Sequence, residues 1–174
     1  HQASIPALNL AHSSEQFKVV NTYANSKARL ALVNGVCSNA ICEYGINDIF
    51  GTSDTLATVK ANALLWWSYL KKRGMRVFQT TLGPNMQSTD GFQTVGAQSI
   101  LGTSTQHTIR QGFNQWLRAP ASAGAGNSAI LDAAGNLDGV FGAGEQVEAG
   151  ERGDREEQEQ VHHGEPAAED GGGK

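Results

Sequence analysis

The stretch from Ile41 to Phe50 constrains the fold more than any other part of the sequence. An apolar run there ends at Gly45, and the polar pair Asn47 and Asp48 follows almost at once. In an open α/β sheet, polar side chains that follow a strand lie at its carboxyl end, where such sheets bind their ligands. Gly45 permits a sharp turn or a close backbone approach. The stretch therefore predicts a ligand site, although an ordinary strand-to-helix turn uses the same residue types.

Strand-like and helical patterns alternate along the chain. Apolar residues recur at helical intervals in some segments, and short apolar or β-rich runs lie between them. The predicted strands are residues 7–11, 40–44, 75–82 and 128–133, the predicted helices are 17–32, 53–73 and 104–118, and a long polar loop is predicted at 85–102. This alternation predicts an α/β fold with a parallel sheet and helices on both faces.

The last part of the chain differs sharply in composition. Residues 142–174 contain three basic and ten acidic residues and eight glycines, but no Leu, Ile, Met or aromatic residue. Such a segment cannot bury enough apolar surface to offset its ordering entropy, so it is predicted to be disordered. We therefore divide the chain into an α/β domain at residues 1–141 and an acidic Gly- and Glu-rich tail at 142–174. A solvated tail, an acidic interaction tail and a shifted reading frame all fit this composition.

Several classes of function find no support in the sequence. No apolar run approaches the length of a membrane span, no signal peptide is visible, and no basic face suits nucleic acid. Cys37 and Cys42 have no His/Cys cluster around them, so neither a metal site nor a cofactor is expected. Cys42 is expected in the core, with a local disulfide to Cys37 as the alternative. The compartment and the oligomeric state stay open.

Two motifs together resemble signature blocks of the SGNH hydrolases, the GDSL-type esterases and lipases. The third block of that family reads Gly-x-Asn-Asp, which Gly45, Asn47 and Asp48 match in full. The second block reads Asn, four residues, Gly. Asn9 matches its first position, and Ser14 stands where the family has glycine.

The resemblance covers roughly residues 5–141 and implies a three-layer, flavodoxin-like parallel sheet in the strand order 2-1-3-4-5. The family's nucleophile is the serine of a Gly-Asp-Ser motif on the first strand, and its base is the histidine of an Asp-x-x-His motif. Neither motif occurs in this sequence, and the segment nearest to the second is Glu159–His162. We therefore expect the first strand and the C-terminal catalytic helix to be missing. Either the strand at residues 7–11 then moves inward, or the edge of the strand at 40–44 stays unpaired.

Carried over to this chain, the resemblance implies an oxyanion hole formed by the Asn47 side chain and the backbone N–H of Ser14. Ser14 can reproduce the glycine conformation only if its φ is negative. His12 is expected to face the substrate, with a solvated loop position as the alternative. The expected supporting residues are Gly45, Asp48 and Asn9.

The implied function is the hydrolysis of acyl or acetyl esters by a serine mechanism, and the chain is expected to be inactive because the nucleophile and base motifs are absent. The expected partner is a small-molecule ester. Members of the family are often secreted or periplasmic. One alternative is a non-catalytic α/β module that binds a small molecule or a glycan. Another is a flavodoxin-like domain that binds a small anion, although no phosphate loop of the G-x-x-x-x-G-K type is present.

Overall fold

The computed structural model describes residues 8–22 and 24–142. Apart from Gly142, the predicted acidic tail lies outside these residues, as does the segment Glu159–His162. The helices are α1 (Phe17–Thr22), α2 (Ala24–Ala31), α3 (Ile46–Phe50), α4 (Leu56–Lys71), α5 (Ser104–Arg118) and α6 (Ala129–Asp132). The strands are β1 (Asn39–Cys42), β2 (Arg76–Thr80), β3 (Met86–Ser88), β4 (Gln98–Ile100) and β5 (Gly139–Phe141).

A parallel sheet of three strands organises the described part of the chain. Its order is β1-β2-β5, with Ala40 opposite Val77 and Phe78 opposite Gly139. The central strand β2 is the most buried, because it has a neighbour on each side and α4 packs against it. Parallel strands combined with helices confirm the predicted α/β class. The strands predicted at 40–44 and 75–82 are confirmed as β1 and β2.

The two long helices form where the sequence predicts them, and each begins at a threonine cap. The Thr55 side chain accepts a hydrogen bond from the Thr58 backbone N–H at the start of α4. Thr103 and Gln106 form a reciprocal capping box at the start of α5. These caps satisfy backbone donors that the first turn of a helix leaves unpaired. The apolar faces of α4 and α5 then pack against each other in the core.

The strand predicted at residues 7–11 is wrong for its described part, because Leu8 to Ala11 form no strand. The Asn9 side chain explains the difference, since its Oδ1 accepts a hydrogen bond from the Ala11 backbone N–H at 2.9 Å. This local bond uses a backbone donor that a strand ladder needs.

Other predicted elements also differ from those observed. The segment predicted as a strand at 128–133 is the short helix α6, and the last strand is β5. A short apolar run does not distinguish a strand from a buried helical turn by periodicity alone. The predicted helix at 17–32 is divided into α1 and α2, and the polar loop at 85–102 contains the antiparallel hairpin β3-β4. Asn47 and Asp48 lie on α3 and not in a loop.

Strand β1 has β2 on one side, and no described strand pairs with its other edge. Of the two arrangements expected for this edge, the structure has the unpaired one. The side chain of Ile41, in the middle of β1, is 63% exposed. The open edge is the feature that creates the candidate site.

Candidate functional site

A cleft of about 540 Å³ lies along the open edge of β1. Its lining residues come from the segment from Leu8 to His12, from β1 and the residues that follow it, and from the helices α2 and α4. Apolar lining residues include Leu10, Leu30, Val33, Leu70 and Met75. Polar lining residues include Asn9, His12, Glu15, Tyr44 and Asn47. An apolar lining with a few polar groups is typical of a small-molecule site.

The structure brings together three of the predicted site residues. Asn9, His12 and Asn47 all line the cleft, although 35 residues separate His12 from Asn47 in the sequence. Ser14, Gly45 and Asp48 are not among its lining residues. The cleft therefore contains one of the two predicted oxyanion donors.

The Asn47 side chain keeps a hydrogen-bond donor for a ligand. Its Nδ2 donates to the Glu15 carbonyl oxygen at 3.2 Å, and the Asn47 carbonyl oxygen accepts from the Gln16 side chain at 3.2 Å. These two bonds fix α3 against the chain that precedes α1. An amide nitrogen carries two N–H donors, so the bond to Glu15 leaves the second one available.

Ser14 adopts the conformation that favours glycine. Its φ is +61°, in the left-handed region where non-glycine residues are uncommon. A negative φ is required if Ser14 is to take the place of the family's glycine. The observed φ is positive, so this requirement is not met. No described residue accepts a hydrogen bond from the Ser14 N–H.

Gly45 and Asp48 lie behind the cleft and hold its parts in place. Gly45 has φ +123°, and its Cα lies so close to the Leu82 and Phe17 side chains that a Cβ would contact both. The fully buried Asp48 accepts a hydrogen bond from the Phe17 backbone N–H at 3.0 Å. Burial raises the pKa of Asp48, and the bond from Phe17 opposes that rise.

Neither histidine of the described part is placed as a catalytic base. The exposed His12 contacts the Ser13 carbonyl oxygen through Nδ1 at 3.0 Å. The His107 ring contacts the Leu101 carbonyl oxygen through Nε2 at 2.8 Å. A serine nucleophile needs a base within hydrogen-bond reach of its hydroxyl. Among the described residues, neither histidine ring contacts a serine hydroxyl.

A buried polar cluster around Glu15 borders the cleft, and no local sequence pattern indicates it. The Glu15 carboxylate, whose side chain is 4% exposed, accepts hydrogen bonds from Ser26 at 2.7 Å, from Tyr44 at 2.8 Å and from Arg29. Ser26 and Arg29 lie three residues apart on α2, and this spacing places them on one helix face. Their shared partner lies on another segment, so only the fold reveals the cluster.

The cluster sets the charge of the cleft wall. Burial alone would raise the pKa of Glu15, but the hydrogen bonds from Ser26, Tyr44 and Arg29 outweigh it and hold the pKa below its ordinary value of 4.5. Burial and the bond to Glu15 raise the pKa of the Tyr44 hydroxyl. Glu15 is therefore ionised and Tyr44 is neutral near neutral pH.

Replacing Glu15 with glutamine is expected to lower the free energy of unfolding by about 1–3 kcal/mol near neutral pH. The lowered pKa of Glu15 stabilises the fold above pH 4.5, and that contribution disappears as the pH falls through the folded-state pKa. The difference between the wild type and Glu15→Gln in urea unfolding should therefore shrink in acid. Asp48 titrates in both proteins, so the difference isolates Glu15. Glu43→Gln, at an exposed position, should change stability little, and a pH-independent difference at Glu15 would contradict the account.

Two thiols also line the cleft. Cys37 is half-buried and Cys42 is buried, and both are free, so the alternative of a local disulfide is wrong. Burial raises the pKa of Cys42 to about 12, which keeps this thiol protonated and inert. Within the described ranges, no group of three His, Cys, Asp or Glu side chains could hold a metal ion.

Comparison with known proteins adds no relative. No family model, no curated protein and no solved structure matches this chain. None of the helices in the described part of the chain combines the length and apolar character needed to cross a bilayer.

Proposed function

We propose that this chain carries the ester-binding cleft and the oxyanion loop of an SGNH-type hydrolase. In this proposal it binds small acyl or acetyl esters and turns them over only slowly. The observation that carries the proposal is the position of Asn47, which lies in the cleft wall just beyond the carboxyl end of β1 with a spare amide N–H. The same proposal assigns the three-layer flavodoxin-like architecture, with helices on both faces of the sheet.

The chemistry of the proposed site is electrostatic. The free N–H of Asn47 would donate to the ester carbonyl oxygen, where negative charge develops during hydrolysis. One such donor contributes roughly 10²–10³ in rate in a complete enzyme. His12 and Asn9, which also line the cleft, would contact the rest of the ester. The sequence has neither Gly-Asp-Ser nor Asp-x-x-His, so we expect only residual acceleration.

A second candidate is a non-catalytic module that binds a small molecule or a glycan. The contacts of the two described histidines favour this candidate. Each ring contacts a backbone carbonyl oxygen, and neither contacts a serine hydroxyl. Both candidates use the same cleft, and they differ in whether Asn47 assists any chemical step.

Hydrolysis of 4-nitrophenyl acetate separates the two candidates. We expect a slow rate above buffer that falls about tenfold or more in Asn47→Ala, since an oxyanion donor is lost. Asn127→Ala is the matched control, because Asn127 is exposed and lies outside the cleft. A rate that is equal in both variants would favour the non-catalytic module. A fluorophosphonate probe should label no serine, and a stoichiometrically labelled serine would contradict the proposed lack of a nucleophile.

A further inference from the structure

The open edge of β1 offers backbone groups that the described fold does not use. A strand at a sheet edge presents a row of unpaired N–H and C=O groups, and proteins normally cover, charge or shorten such edges. β1 is short, and no described strand covers this edge: the segment from Leu8 to Ala11 lines the cleft without strand structure. The cleft therefore exposes the backbone edge.

The dimensions of the cleft suit one further strand. A four-residue strand is about 13 Å long. The cleft that β1 lines measures about 540 Å³, which is within the range of pockets that hold a ligand. It therefore has room for a short extended segment beside β1.

The side chains around this edge indicate the chemistry of an occupant. Leu8 and Ile41 line the cleft and are 60% and 63% exposed, which leaves two large apolar side chains in solvent. The lining includes the exposed carboxylate of Glu43 but no lysine or arginine, and the other lining carboxylate, Glu15, is already paired with Arg29. An occupant with apolar side chains and a positive charge complements this surface.

We propose that the β1 edge binds an extended, apolar and basic peptide segment of a partner protein, which adds to the sheet as a fourth strand. Backbone hydrogen bonds to β1 supply affinity, and contacts with Leu8, Ile41 and Glu43 supply selectivity. This inference goes beyond the proposed ester site. The ester would lie at the Asn47 end of the cleft, whereas the added strand would run beside Asn39–Cys42.

The test uses a fluorescein-labelled peptide, Lys-Ile-Thr-Val-Thr-Val-Lys, and measures its fluorescence anisotropy with the full chain. We expect saturable binding, at least about tenfold weaker when alternate peptide amides are N-methylated, because the backbone hydrogen bonds are lost. Replacing both lysines with glutamate should also weaken binding. Absence of binding, or equal binding of the N-methylated peptide, would overturn the proposal.

Two matched variants locate the binding surface. Ile41→Lys should weaken peptide binding at least about tenfold. Leu65→Lys should leave it unchanged, because Leu65 is 61% exposed on α4 and does not line the cleft. Equal effects of the two variants would overturn the assignment to β1.

The chain could also form a dimer that binds no peptide and that dissociates in the Ile41→Lys variant. This result would replace the proposed partner with a second copy of this chain. Peptide binding without ester hydrolysis would support this inference while the ester proposal fails.

Discussion

Replacing Trp67 with alanine is expected to lower the free energy of unfolding by about 3–5 kcal/mol, the usual cost of truncating a buried aromatic residue. Trp67 is fully buried on α4 and stacks on Trp116 of α5, with ring centroids 5.5 Å apart. Its indole N–H donates to Oε1 of the fully buried Gln79 at 3.2 Å. The alanine variant would leave a cavity between the two long helices and an acceptor without its donor.

Urea unfolding of the Trp67→Ala variant measures this loss. Leu65→Ala on the same helix is the control, because Leu65 is 61% exposed and its truncation should change stability by no more than about 0.5 kcal/mol. Replacement by alanine changes helix propensity by only about 0.5 kcal/mol or less at either position, which is too little to produce the expected contrast. Equal effects at the two positions would contradict the packing described for the core.

Replacing Gly45 with alanine is expected to destabilise the fold by about 2–5 kcal/mol, from backbone strain and overpacking together. Its φ of +123° lies in a region that L-residues rarely adopt, and a Cβ would lie 3.1 Å from Leu82 Cδ1 and 3.4 Å from Phe17 Cε2. The same change would move Asn47, which lies two residues later on α3. We therefore expect a loss of ester binding together with the loss of stability.

Gly35 provides the control for this substitution. Its φ is +75°, but a Cβ there would meet no atom within 4 Å. Gly35→Ala should therefore show only the backbone cost of about 1–2 kcal/mol for the left-handed region. Thermal unfolding of both variants compares this cost with the larger one expected at Gly45, where an unusual backbone conformation and close packing act together. A Gly45→Ala variant as stable as Gly35→Ala would contradict this expectation. It would show that the Leu82 and Phe17 side chains move aside for the added methyl group at little cost.

The sequence predicts well those elements that their own side chains specify. α4 and α5 carry apolar residues at helical spacing over many turns, and β1 and β2 end at Gly and polar residues, so each is recognisable locally. The strand predictions for residues 7–11, over their described part, and for 128–133 are wrong because both segments are short apolar runs. In the first, the Asn9 side chain takes the Ala11 backbone N–H. The other begins a helix at Ser128.

The candidate site could be predicted only in part. Asn47 follows a strand, and that position alone indicates a place at the sheet edge where ligands bind. The cluster around Glu15 joins the residue before α1 to two residues of α2 and to Tyr44, which follows β1. Such contacts join segments that are distant in the sequence, and no local pattern encodes them.

The most direct test of the account is an NMR titration of the ¹⁵N-labelled chain with methyl butyrate. The account predicts saturable shifts of the Asn47 and Asn9 side-chain amides and of the His12 backbone amide. It also predicts at least about fivefold weaker binding in Asn47→Ala, which corresponds to about 1 kcal/mol for one lost hydrogen bond. Asn127→Ala should bind the ester as the wild type does. Shifts that are absent from the cleft, or that are unchanged in Asn47→Ala, would contradict the ester site.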